Sequence, residues 1–123
     1  VAAHDVGRAI NPQMVQGQIE GGVAMGMGYA LRENFLVEEG YVRSAYAGLG
    51  LFRAPEMPRI VPIIVGKGNG AAACGAKGIG EISAIPVVPA IAGAYRSRDG
   101  QERLTLPLEN TPYAFKPKQE GRP

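Results

Sequence analysis

The chain has 123 residues, with 13 Lys plus Arg against 11 Asp plus Glu and a single cysteine, Cys74. A chain of that length fits one domain able to bury roughly two thirds of its unfolded surface, and one cysteine excludes an internal disulfide framework and agrees with a reducing compartment, the cytoplasm by default. A net charge of +2, with no aromatic residues interleaved among the basic ones, excludes a nucleic-acid surface.

The chain opens, with no initiator methionine or basic leader, in what reads as a strand over residues 1–6, a start expected of a piece of something longer. "GRAINP" then turns it, with Asn11 as N-cap and Pro12 at the favoured first helical position. A helix from Pro12 to about Asn34 follows, with Met14, Val15, Ile19, Val23, Met27, Ala30 and Leu31 at three- and four-residue spacing. Its most apolar run, residues 21–31, is far short of the roughly 20 residues a membrane span requires.

That helix contains Gly17, Gly21, Gly22, Gly26 and Gly28, each about 0.8–1 kcal/mol worse than alanine in a helix interior. The pairs Gly17/Gly21 and Gly22/Gly26 lie four apart, where missing side chains let something approach closely. Two readings stand: a helix pressed against a sheet, or helix backbone against a bound cofactor.

After Asn34, "FLVEEGYVRSAYAG" predicts a hairpin joined through Glu38, Glu39 and Gly40. A proline-interrupted connector leads to a strand over residues 60–65, with Pro62 at its start or on an edge. Residues 66–80 form a glycine and alanine loop holding Lys67, Asn69, Cys74 and Lys77. Ser83 is the expected cap of a second helix with Pro86 in its first turn, or Pro89 marks the start; the helix should end near Arg98 or Asp99, before Gly100. "ERLTLPLENTPYAF" predicts a strand and a proline-punctuated segment, and residues 116–123 a polar tail. The sum is an α+β fold: a long glycine-rich helix and a second, shorter helix packed on a small mixed sheet.

The loop fails the tests for phosphate chemistry. A P-loop needs Gly followed by Lys and Ser or Thr, whereas Gly75 is followed by Ala76, Lys77 and Gly78. His4, the only histidine, reads as a hydrogen-bonded structural residue, and Cys74 as a small buried hydrophobe, so the chain offers no metal-ligand cluster. Glu81 closes the glycine ladder "GAKGIGE" ahead of the second helix, where the helix dipole favours the ionised form a general base needs. A solvated acid near a helix start is the plainer alternative.

"HDVGRAINPQMVQGQIEGGVAMGMGYALRE", "FRAPEMPRI", "GAKGIGEI", "PAIAGAY" and "LPLENTP" occur in that order and span residues 4 to about 113. The set resembles the C-terminal end of the molybdopterin-binding subunit of molybdenum hydroxylases, the xanthine dehydrogenase and aldehyde oxidoreductase family. The resemblance implies that residues 1–115 are the C-terminal portion of a molybdopterin-binding domain. It implies an oxidoreductase that hydroxylates a carbon of an N-heterocycle or aldehyde with water-derived oxygen, Glu81 acting as base. Gln18 and the backbone of Lys77, Gly78, Ile79 and Gly80 would lie at the pterin, with or without a cytosine nucleotide. The partners implied are the remainder of the subunit, with iron–sulfur clusters and FAD on other domains or subunits, and the 123 residues alone are expected to be inactive. Two departures stand out: Ile82 where the family often has proline, and Gly93 where it often has asparagine. The competing classes are a non-catalytic assembly domain of the same fold and a nucleotide-binding module built on residues 66–80.

Overall fold

A computed structural model describes residues 1–66 and 73–112. The loop residues Lys67 and Asn69, part of the nucleotide-module alternative, and the tail from Lys116 lie outside the described residues.

Strand β1 (Ala2–Asp5) is followed by helix α1 (Pro12–Leu31). Asn11 stands in extended backbone and its Oδ1 accepts the Met14 N–H at 3.1 Å, while Pro12 takes the first helical position, so the helix starts where the sequence places it. It stops at Leu31, short of Asn34, because the N–H groups of Arg32 and Glu33 both turn back to the Gly28 carbonyl. The Arg32 guanidinium pairs with Glu56 at 2.8 Å and lies over the Phe52 ring, contacts made by residues distant in sequence. The same pair holds the Glu56 carboxyl below its ordinary range, through the Arg32 hydrogen bond first and the Arg53 N–H second.

Strands β2 (Val37–Glu38) and β3 (Tyr41–Val42) form the predicted hairpin. Its two turn residues, Glu39 and Gly40, both have positive φ, the requirement of the tight turn that matches strand twist. Strand β4 (Pro62–Val65) pairs in parallel with β1, Ala2 opposite Pro62 and Asp5 opposite Val65, and Pro62 takes the first position, where no ladder donor is required. Parallel strands need a long crossover, and α1 begins it and packs on both strands. The sheets are therefore one parallel pair and one antiparallel pair, and the core under α1 is Val6, Val15 and Ile19, with Ala2, Val23, Ile64 and Ile79 packed against it.

Helix α2 (Val87–Asp99) ends at Gly100, whose φ of 72° is the left-handed C-cap. Its start corrects the sequence reading: Pro86 is the N-cap residue, no side chain caps the helix, and Ser83 lies in the turns before it. A second correction concerns residues 102–112, which form no strand. Leu108 instead buries itself and donates its N–H to the Ala30 carbonyl at 2.7 Å, and Arg103 is held by Asp99, the Glu109 carbonyl and the Tyr95 ring.

Candidate active site

The loop that carries Glu81 is fixed first at its base. Gly7 and Ala76 form an antiparallel bridge, the Arg8 N–H donates to the Gly75 carbonyl at 2.8 Å, and the Lys77 N–H donates to the Val6 carbonyl at 2.9 Å. Gly7 has φ 59°, and a Cβ on it would stand 2.2 Å from the Gly75 oxygen, so only glycine allows this approach. The Lys77 ammonium pairs with Asp5, whose other oxygen accepts the Gly7 N–H at 2.9 Å. Both the backbone donor and the charge of Lys77 thus serve to anchor the loop to the end of β1.

Gln18 fixes the next stretch. Its Nε2 donates to the Gly80 carbonyl at 3.4 Å, and its main-chain carbonyl accepts the Ser83 hydroxyl at 3.0 Å. One residue of α1 thereby touches both sides of Glu81. Ser83, fully buried, packs against Gly22, and Gly26 meets Val87 and the Ala84 carbonyl. These two glycines exist for contact with the α2 approach, the packing reading, although against a helix rather than a sheet. Gly17 and Gly21 differ: a Cβ on either would find nothing within 4 Å, and the same holds for Gly78 and Gly80.

Bare backbone therefore faces outward from both α1 and the loop, beside Gln18. The N–H groups of Gly78, Ile79 and Gly80 donate to no described residue. Three consecutive amide donors and a side-chain amide, with no Cβ to obstruct them at Gly78 and Gly80, suit a flat group rich in acceptors such as a pterin. A 370 Å³ hollow adjoins them, walled by Arg8, Asn11, Met14, Gln18, Lys77 and Ile79. The larger groove, 660 Å³, is lined by neither Gln18 nor Glu81.

Glu81 itself is exposed, and its carboxylate makes no hydrogen bond or ion pair with a described residue; its carbonyl accepts the Ala84 N–H at 3.0 Å. Because α2 begins only at Val87, Glu81 lies outside the first turn, and the dipole argument loses its force. Two side readings are also revised. Cys74 is exposed with φ 55°, as the turn between residues 73 and 75 projects it outward. His4 is half-buried at the larger groove and makes no hydrogen bond among the described residues. Ser83 is the site residue that sequence reasoning misassigned; Gly22, four positions after Gln18, was the signal that something small and close would pack there. Among the described residues no group of three acidic, histidine or cysteine side chains could hold a metal ion, and no helix is long and apolar enough to cross a membrane.

Residues 1–58 match the family described as molybdopterin cofactor-binding domain. The chain is 34% identical over 108 residues to the putative xanthine dehydrogenase molybdenum-binding subunit of Escherichia coli, covering 85% of this chain and 14% of that protein. It is 30% identical over 107 residues to the isoquinoline 1-oxidoreductase subunit beta of Brevundimonas diminuta, covering 86% and 13%. Among solved structures, the reconstituted CO dehydrogenase from Oligotropha carboxidovorans superimposes with a TM-score of 0.72 at 25% identity, over 84% of this chain and 14% of that one. The chain thus spans about one seventh of the length of the relatives it matches, and it belongs to the molybdenum hydroxylase family.

Proposed function

We propose that the chain supplies the base-bearing wall of a molybdenum hydroxylase active site, with Glu81 as general base and Gln18, together with the backbone of Lys77, Gly78, Ile79 and Gly80, as the pterin-facing surface. The observation that supports this best is the double contact of Gln18 with Gly80 and Ser83, which brackets an exposed, unpaired carboxylate beside bare backbone donors. When bound, the molybdenum–pterin group would supply the two-electron acceptor and the water-derived oxygen. Beside that group Glu81 would serve as the general base, accepting a proton at a carboxylate oxygen. The N–H groups of Gly78, Ile79 and Gly80 and the Gln18 amide would orient the pterin edge, while Lys77 holds the loop in place through Asp5 and Val6. Hydroxylation of an electron-poor carbon is the reaction class; the relatives, named as xanthine, isoquinoline and CO enzymes, differ too widely to choose the substrate.

The rest of the catalytic machinery, the remainder of the molybdopterin subunit and the iron–sulfur and flavin carriers on domains or subunits, lies outside these 123 residues, which alone are inactive; the assembly is cytoplasmic. Glu81→Gln in the reconstituted complex tests the central role. Molybdenum content stays at the unaltered level while turnover falls by about 10²–10⁴-fold, the usual contribution of a positioned base; an unchanged rate removes Glu81 from the mechanism.

A further inference from the structure

The 370 Å³ hollow beside Gln18 holds more positive charge than a flat, uncharged ring system calls for. Arg8 and Lys77 line it, and no acidic side chain does. The Lys77 ammonium is matched by Asp5. Arg8 is exposed, and its guanidinium makes no ion pair, hydrogen bond or ring contact with a described residue. An unmatched guanidinium on the wall of a ligand-sized hollow is a place for an anion.

Two further observations bear on which anion. The Arg8 N–H donates to the Gly75 carbonyl at 2.8 Å, next to the bridge between Gly7 and Ala76, so the contact that ties the glycine loop to the end of β1 also fixes where the Arg8 side chain leaves the backbone. Asn11 lines the same hollow. Its Oδ1 is committed to the Met14 N–H at 3.1 Å, which leaves Nδ2 as a donor with no partner among the described residues. A carboxylate is satisfied by one guanidinium, whereas a phosphate has more acceptor oxygens and a second charge, and takes the guanidinium fork and a further donor together.

We infer that Arg8, with the Asn11 amide, binds a phosphate group carried by the same ligand whose flat part lies along Gln18 and the backbone of residues 78–80. The inference rests on the pterin-facing reading of that surface and is independent of Glu81 as base. Lys77 does not share the role, since Asp5 already matches its charge.

Inorganic pyrophosphate, titrated by calorimetry into the assembled complex with and without its molybdenum–pterin group, tests this. The cofactor-free complex binds the probe, and the loaded complex binds it at least about tenfold more weakly, because Arg8 is already taken. Arg8→Gln in the cofactor-free complex weakens the probe at least about tenfold, the loss of a charged hydrogen bond, and Arg8→Lys recovers part of it as a point charge without the fork. Because the guanidinium has no partner in the described chain, Arg8→Gln leaves the urea midpoint of the 123-residue chain unchanged, which excludes misfolding as the cause. In loaded complexes Arg8→Gln lowers molybdenum content, whereas Glu81→Gln does not. A cofactor-free complex that ignores the probe, or equal binding by Arg8→Gln, overturns the inference. So does equal binding by the loaded and cofactor-free complexes, which marks a site for free phosphate, and so does loss of assembly in Arg8→Gln, which marks a protein carboxylate facing the guanidinium. Gln18→Ala separates the two failures: where Arg8 fails and Gln18→Ala still lowers molybdenum content, the pterin-facing surface stands; where neither variant lowers it, that surface falls too.

Discussion

Gly17 and Gly22 lie in the same helix, and alanine at the two positions is predicted to change stability in opposite directions. Alanine gains about 0.8–1 kcal/mol over glycine in a helix interior. At Gly17 the new Cβ meets nothing within 4 Å, so the gain stands, and stability of the 123-residue chain rises by about 1 kcal/mol. At Gly22 the Cβ would stand 2.0 Å from the Ser83 Oγ, 2.9 Å from its Cβ and 3.0 Å from the Ala84 nitrogen. Ser83 has no room to retreat because it is fully buried and bonded to Gln18. Overpacking of about 1–3 kcal/mol and loss of a hydrogen bond of about 1 kcal/mol outweigh the helix gain, leaving a net loss of about 1–3 kcal/mol. Urea unfolding followed by circular dichroism measures both variants, and a Gly22→Ala chain as stable as Gly17→Ala refutes the reasoning. Gly17→Ala also tests the cofactor reading of the open α1 face: on that reading the more stable variant takes up less molybdenum in the assembled complex.

Gly7→Ala puts a non-glycine residue at φ 59° and a Cβ 2.2 Å from the Gly75 oxygen, so it destabilises by more than about 2 kcal/mol, combining left-handed strain with a backbone clash; hydrogen exchange at the Lys77 amide rises with it. The pH dependence has a fixed sign. Asp99 is held below its ordinary value by the Arg103 hydrogen bond, then by the Gln101 N–H, and Glu56 likewise by Arg32, so their stabilisation is present above the ordinary carboxyl range and is lost as pH falls through their lowered values. Asp99→Asn therefore lowers Tm at neutral pH and not in strong acid. Glu33, raised by burial, acts oppositely: its contribution grows as pH falls through its raised value, and Glu33→Gln abolishes that component of the acid profile.

Local signals served where local chemistry decides structure. Asn11–Pro12 fixed the start of α1, Gly100 the end of α2, and Glu39–Gly40 the hairpin, because each depends on backbone angles set by its own residues. The readings that failed involve partners far along the chain. Ser83 has the sequence look of a helix cap, yet its hydroxyl goes to Gln18, 65 residues away. Residues 102–112 have strand composition, but Leu108 buries itself and bonds to the distant Ala30 instead, and α1 ends early where Arg32 meets Glu56 and Phe52. The glycines of α1 were conspicuous by cost alone; which face each one served depended on where α2 lay.

The packing reading of those glycines holds at Gly22 and Gly26, and Gln18 links that packing to the loop proposed to face the cofactor. Gly22 and Gly26 bring the approach to α2 close enough for the Ser83 hydroxyl to reach the Gln18 carbonyl. That contact fixes the chain two residues after Glu81, and the Gln18 side chain holds Gly80 immediately before it. Helix packing on one side of α1 thus sets the position of the loop that carries Glu81. It follows that a packing defect at Gly22 displaces Glu81 without touching it. In the assembled complex, Gly22→Ala should lower turnover at full molybdenum occupancy, and Ser83→Gly in the same chain, by removing the clashing side chain, should restore part of it. A stability loss with turnover per molybdenum unchanged would show that the loop holds its position without Gln18 and Ser83.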